Sequence, residues 1–221
     1  LEVQKRVLGP DHPHTLRTTI NLARLPRSGG QVTPDGSVAM LRETLEVQNR
    51  VLGPDHLDTI DTHMHLASAL LRQGKPDEAE VAFLAALEAL NRVYGPDHQD
   101  TLETYMDLAC ALLGQGKLDE AVVVFRETHE AQKRVYGPDH QDTLATSMNL
   151  AAALLGQGKL DEAMAMFREA YEARNLALGL NGQKTIDMTI SIASELIGQG
   201  KVEDALKILF ETYVRLWGGA E

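Results

Sequence analysis

Apolar residues return along this chain at three- and four-residue steps, in blocks that recur about every 42 residues. In one block Leu102, Tyr105, Leu108, Ala109 and Leu112 mark the buried face of one helix, and Ala121, Val124 and Phe125 mark that of a second. Gly114 and Gly116 stand between them, where a positive φ can end a helix and turn the chain. Asp97 is placed to cap the first helix through its side chain, with Asp100 at the N3 position. Asp119 and Glu120 open the second helix, where carboxylates meet the positive end of the helix dipole. That helix runs to Tyr136, with Gly137 as its stop and Pro138 barring continuation. At about 1.5 Å per residue both helices are near 25 Å long. Short links make them antiparallel, and neither hides its apolar face alone, so successive pairs must stack.

The repeat is explicit. Gly-Pro-Asp-His occurs at Gly9–His12, Gly53–His56, Gly95–His98 and Gly137–His140, at spacings of 44, 42 and 42 residues, and Gly179-Leu180-Asn181-Gly182 holds the fifth position. Gly-x-Gly-Lys recurs at Gly114–Lys117, Gly156–Lys159 and Gly198–Lys201, with Arg72-Gln73-Gly74-Lys75 as its variant. Segments Val93–Arg134 and Val135–Leu176 agree at roughly 30 of 42 positions. The expectation is an all-α chain with a single array over residues 9–221, its helix pairs near 12–52, 56–94, 98–136, 140–178 and 182–217. Leu1–Leu8 nearly duplicates Leu45–Leu52, so residues 1–8 read as the tail of a preceding repeat helix and the chain as a piece of a longer array. The first pair is irregular: Pro26 should end its first helix near Leu25, and Thr33 with Pro34 should restart the second. The fifth keeps a helical face through Thr185, Ile186, Ile192, Ala193 and Leu196.

Composition narrows the chemistry. With 43% hydrophobic and 24% charged residues, the chain can bury a core. Lys and Arg total 21 against 32 Asp and Glu, a net charge of -11 that argues against nucleic acid, whose phosphates demand a basic stripe. No apolar run reaches the roughly 18 residues of a membrane span, and no secretory leader pattern opens the chain, which points to the cytoplasm. Cys110 is the single cysteine and excludes an internal disulfide or a multi-thiolate metal site. Its neighbours Ala109 and Ala111 and the acid-rich repeat do not activate a thiolate.

His12, His56, His98 and His140 occupy equivalent positions in stacked repeats, about 10 Å or more apart, whereas one zinc gathers its nitrogens at about 2.1 Å. They read as turn histidines, and His63 and His65 lie on different faces of one helix. Gly-Gln-Gly-Lys lacks the Ser or Thr and the preceding strand of a phosphate loop. Catalytic residues, metal ligands and cofactors are therefore not expected.

The series Tyr105, Leu108, Ala109, Leu112, Gly116, Ala121 and Phe125 resembles the tetratricopeptide repeat (TPR). So do Leu66, Ala67, Leu70, Gly74, Ala79, Phe83 and Ala86, and Leu150, Ala151, Leu154, Gly158, Ala163, Phe167 and Ala170. The 42-residue period with its Gly-Pro-Asp-His and Gln-Gly-Lys-x-Asp-Glu-Ala elements is similar, more narrowly, to the kinesin-light-chain type, which also occurs in nephrocystin-like proteins and in arrays attached to signalling ATPases. The resemblance implies a right-handed superhelical solenoid whose first helices line a concave groove for an extended or helical peptide. Carried over residue by residue, the groove row is Asn21, His65, Asp107, Asn149 and Ser191, each just before an apolar residue. Asn offers a donor and an acceptor together, which suits a peptide backbone. The adjacent row, Ile20, Met64, Met106, Met148 and Ile190, supplies adaptable apolar contacts. The alternative is that the polar row simply faces water and the Met row packs between helices.

Arg17, Arg24 and Arg72 share this face with Asp61, Glu103, Asp107 and Asp187, which leaves ligand charge open. The leading expectation is a non-enzymatic module binding a peptide segment of a protein partner, with no nucleic-acid or membrane partner. The alternatives are a structural subunit packing through its ends or convex face within a larger complex, to which Trp217 could contribute, and a sensor array of a larger signalling protein.

Overall fold

The computed structural model describes residues 2–24, 34–159 and 183–201, together with residues 161–163, 165, 166, 169, 170, 173, 204, 205, 207, 208 and 211. Its helices are α1 (Glu2–Val7), α2 (Pro13–Arg24), α3 (Pro34–Val51), α4 (Leu57–Arg72), α5 (Pro76–Val93), α6 (Gln99–Gly114), α7 (Leu118–Tyr136), α8 (Gln141–Gly156) and α9 (Gln183–Gly198). No strand occurs among the described residues. From α2 to α8 each helix packs against the next in sequence, and the first helices of neighbouring repeats also touch, α2 against α4 and α6 against α8. That is the contact pattern of stacked helical hairpins.

Small residues set how closely the helices approach. Ala67, Ala109 and Ala151 on the first helices, and Ala79, Ala121 and Ala163 on the second, are completely buried at equivalent positions. Phe83 and Phe125 fill the space beside them, and each contributes roughly 1.5–3 kcal/mol through removal of its ring from water. One continuous apolar cluster extends from Ile20 through Leu70, Leu112 and Leu154 to Leu196 and Ala205. A smaller cluster of Ile60, Ala86, Ala89 and Leu90 carries Met64 on its flank.

The helix starts differ from the sequence reading in one respect. Asp97 does not cap α6. The N-cap is His98, whose Nδ1 accepts from the Asp100 amide, and His56 and His140 cap α4 and α8 in the same way through the amides of Asp58 and Asp142. Asp97 instead meets Arg134 at the far end of the same repeat at 3.3 Å, just as Asp55 meets Arg92 at 2.7 Å and Asp11 meets Arg50 at 2.8 Å. Asp11, Asp55 and Asp97 thus each tie the beginning of a repeat to its end. The Tyr94 ring stacks on His98 at 4.2 Å, and Tyr136 lies against His140 at 4.8 Å.

Gly116 turns the chain at φ 76° and Gly137 at φ 97°, backbone settings that strongly favour glycine. Gly114, expected to share the turn, is the last residue of α6 and has no positive φ. The Gly-Gln-Gly-Lys segment works as a clasp. Gln115 Nε2 reaches back to Pro76 O at 3.2 Å and Glu80 Oε2 at 3.1 Å, and Lys117 Nζ binds the same carboxylate at 2.7 Å. Gln157 repeats the gesture on Asp119 at 2.7 Å. Helix α2 is described as far as Arg24 and α3 from Pro34, so the expected boundary near Leu25 lies outside the described residues. The expectations for Pro26, Thr33, Phe167, the Gly179–Gly182 turn and Trp217 lie outside the described residues.

Candidate functional site

The two helix types present different outer faces. Second helices are laced to one another by charge pairs at intervals of 36 residues: Arg42 with Glu78, Arg126 with Glu162 at 3.0 Å, and Lys133 with Glu169 at 2.5 Å. First helices carry no comparable ladder among the described residues. Their side-to-side contacts are soft ones: Thr104 Oγ1 on α6, which donates to Asp100 O, lies 3.8 Å from Met64 Sδ on α4, and Asn149 Nδ2 on α8 donates to Cys110 Sγ on α6 at 3.8 Å. Met64 and Asn149, one from each expected row, thus touch the neighbouring first helix through Thr104 and Cys110.

Within the polar row, Asn21 and Ser191 are exposed, while His65, Asp107 and Asn149 are half-buried. His65 turns to its own helix, with Nε2 at 3.3 Å from Asp61 Oδ2. Asp107 is under electrostatic load, since burial and then Glu103, one turn earlier, push its carboxyl above the usual range. Cys110 reaches the surface, yet burial of its surroundings and the nearby Asp107 push the thiol up to about 11. A thiol held protonated at neutral pH is the opposite of an activated nucleophile. Asn149 joins this group through Cys110, so Asp107, Cys110 and Asn149 form one neighbourhood bridging α6 and α8.

The apolar row divides. Ile20 is buried in the core, whereas Met64, Met106 and Met148 each lean on core residues and keep part of their surface open. The Ile190 side chain lies outside the described residues. Arg17 and Arg72 are exposed on the same helices as Asn21 and His65, with Asp61 and Glu103 also exposed nearby. The side chains of Arg24 and Asp187 are outside the described residues. No group of three or more His, Cys, Asp or Glu side chains positioned to hold a metal occurs among the described residues, and no described helix is long and apolar enough to cross a membrane.

Sequence reading missed a polar cluster between α7 and α8. Thr128, His129 and Gln132 on α7 and Thr143, Thr146 and Ser147 on α8 are all buried, and Ser147 Oγ and His129 Nε2 join the two helices at 2.7 Å. The signal was available from the repeat alignment, because positions 129 and 132 hold Leu87 and Leu90 one repeat earlier. A polar residue at a core position of a repeat is informative only when its repeat-mates are compared with it.

Two tetratricopeptide repeat models match the chain, one over residues 34–88, 61–133 and 111–175 and the other over residues 147–217. Among solved structures, a Podosopora anserina protein described as a kinesin light chain with nearly identical TPR-like repeats superposes at a TM-score of 0.78, with 21% identity over 95% of this chain and 99% of that one. BtubC (BKLC) from P. vanneervenii superposes at 0.72, with 16% identity over 100% of this chain and 87% of the other. MamA superposes at 0.55, with 14% identity over 82% and 88% of the two chains. At these identities the likeness establishes the fold alone, a TPR-like helical solenoid. No curated protein sequence matches the chain. With family models running from residue 34 to residue 217, the chain belongs to the tetratricopeptide repeat family, whose arrays serve generally as protein-interaction modules.

Proposed function

We propose that this chain binds an extended peptide segment of a partner protein along the outer face of its first helices, without catalysing a reaction. The observation that carries the reading is the contrast between the two faces. The second helices are closed to one another by charge pairs, whereas the first-helix face leaves Asn21, His65, Asp107, Asn149 and Ser191 in a row beside partly open Met64, Met106 and Met148. A rigid stacked scaffold confines most of the ordering cost of binding to the peptide. Asn149 can give and take hydrogen bonds with a peptide backbone, while the thioethers adapt to varied side chains.

The test is a peptide array probed with the whole chain, followed by calorimetric titration of the best-binding peptide. The double substitution Asn149→Ala with Met106→Ala should weaken that peptide at least about tenfold, the equivalent of 1.4 kcal/mol, while leaving the helical circular dichroism intact. Unchanged affinity would remove the first-helix face from consideration.

A second reading, a structural subunit packing through its second helices, draws on the exposed Val81, Leu84 and Val123 of α5 and α7. Sedimentation of the chain separates the two: concentration-dependent association supports packing through that face, and a monomer at all concentrations supports the peptide module.

A further inference from the structure

We propose that the junction between α7 and α8 is a pH-operated joint, in which protonation of the buried His129 imidazole loosens α8 from α7 under mildly acidic conditions. The joint stands on geometry. His129 is 2% exposed, its Nε2 is 2.7 Å from Ser147 Oγ, and Thr128 and Gln132 beside it on α7 are buried as well. The neighbouring repeat places Leu87 and Leu90 at the equivalent positions, both buried, so the α5–α6 junction has no titratable group there. The α7–α8 contact is also under-bonded: Gln132 Oε1 and Thr146 Oγ1 are buried without a hydrogen-bond partner. Buried groups left in that state each cost free energy, so this junction holds less in reserve than an apolar one.

Burial decides the direction, and the charges facing the imidazole modify it. On α7, Lys133 opposes a proton on the ring, and Glu130 favours one, its Oε1 lying 3.6 Å from Nδ1. Glu169, from the second helix of the fourth repeat, also favours protonation but is engaged with Lys133. Helix α8 presents the uncharged Ser147. Burial outweighs the carboxylates and lowers the imidazole below its ordinary value. The open junction therefore takes up the proton more readily than the closed one, and falling pH favours opening. Ser147 immediately precedes Met148 and Asn149, so opening displaces the part of α8 that carries them. The consequence for peptide binding rests on the groove reading; the joint does not.

Hydrogen exchange of the whole chain at pH 7.5 and 5.5, corrected for intrinsic rates, tests the joint. Opening of α7–α8 amides should rise several-fold at the lower pH, with a ceiling of about tenfold for each pH unit that separates the buried imidazole from the free one. The α5–α6 amides should not follow, and His129→Leu should abolish the response. In the unsubstituted protein, NMR titration of His129 should give a midpoint below the free imidazole value, a measurement that does not depend on the variant folding. Four results would overturn the joint: unchanged α8 protection, the same loss in His129→Leu, a response confined to α3–α4 around His63, or a His129 midpoint at or above the free value. Peptide affinity measured alongside keeps the two proposals apart, since an opening joint with pH-independent binding speaks against the groove and leaves the joint in place.

Discussion

His98 and Asp97 are neighbours with exchanged duties. A capping interaction contributes about 1 kcal/mol, whereas an exposed ion pair contributes about 0–1 kcal/mol. His98→Ala should therefore lower stability by about 1–2 kcal/mol, counting the lost cap and the Tyr94 stack, and Asp97→Ala by less than about 1 kcal/mol. Urea denaturation of both variants orders them, and the reverse order would return the cap to aspartate. Asp107 makes a pH-dependent case. Its folded carboxyl is raised, so between the unfolded and folded values the native state holds more protons, and stability falls as pH rises through that window. Asp107→Asn should raise the Tm at pH 7 by about 1–2 °C, and the gain should vanish at a pH low enough to protonate both states. Neither point was legible locally: Asp97 meets a residue 37 positions away, and the load on Asp107 comes from the shape around it.

At the level of the element, sequence periodicity was enough to place the helices. Leu102, Leu108, Ala109 and Leu112 are buried as their spacing requires, and Phe125 is fully enclosed. Phe125→Ala should cost about 3–5 kcal/mol in equilibrium unfolding, since the stacked helices around it cannot collapse into the space. Gly116→Ala is a different experiment. A Cβ there meets nothing within 4 Å, so the cost is backbone conformation alone, about 1–2 kcal/mol. A much larger loss in that variant would mean that the turn is crowded. The expectation that Gly114 shares the turn came from reading both glycines of the motif alike. Only the second needs the left-handed region, because α6 runs to Gly114 and Gln115 supplies the cap.

Across the whole molecule, stability is distributed over joints between neighbouring repeats, and each Gln-Gly-Lys clasp secures one. Gln115→Ala and Gln157→Ala, one repeat apart, should add to within about 0.3–0.5 kcal/mol in urea denaturation. Coupling above about 1 kcal/mol would show that the array behaves as one cooperative body instead of a chain of nearest-neighbour contacts. The chain's own residues determined the helical class and the repeat period, because periodic burial and glycine stops are local properties that repetition amplifies. Tertiary structure decided which of those residues are free to meet another molecule. It placed Asn149 on Cys110, paired Asp11, Asp55 and Asp97 with distant arginines and enclosed His129 against Ser147. Pairings of this kind arise when different helices come into contact, which local periodicity does not specify.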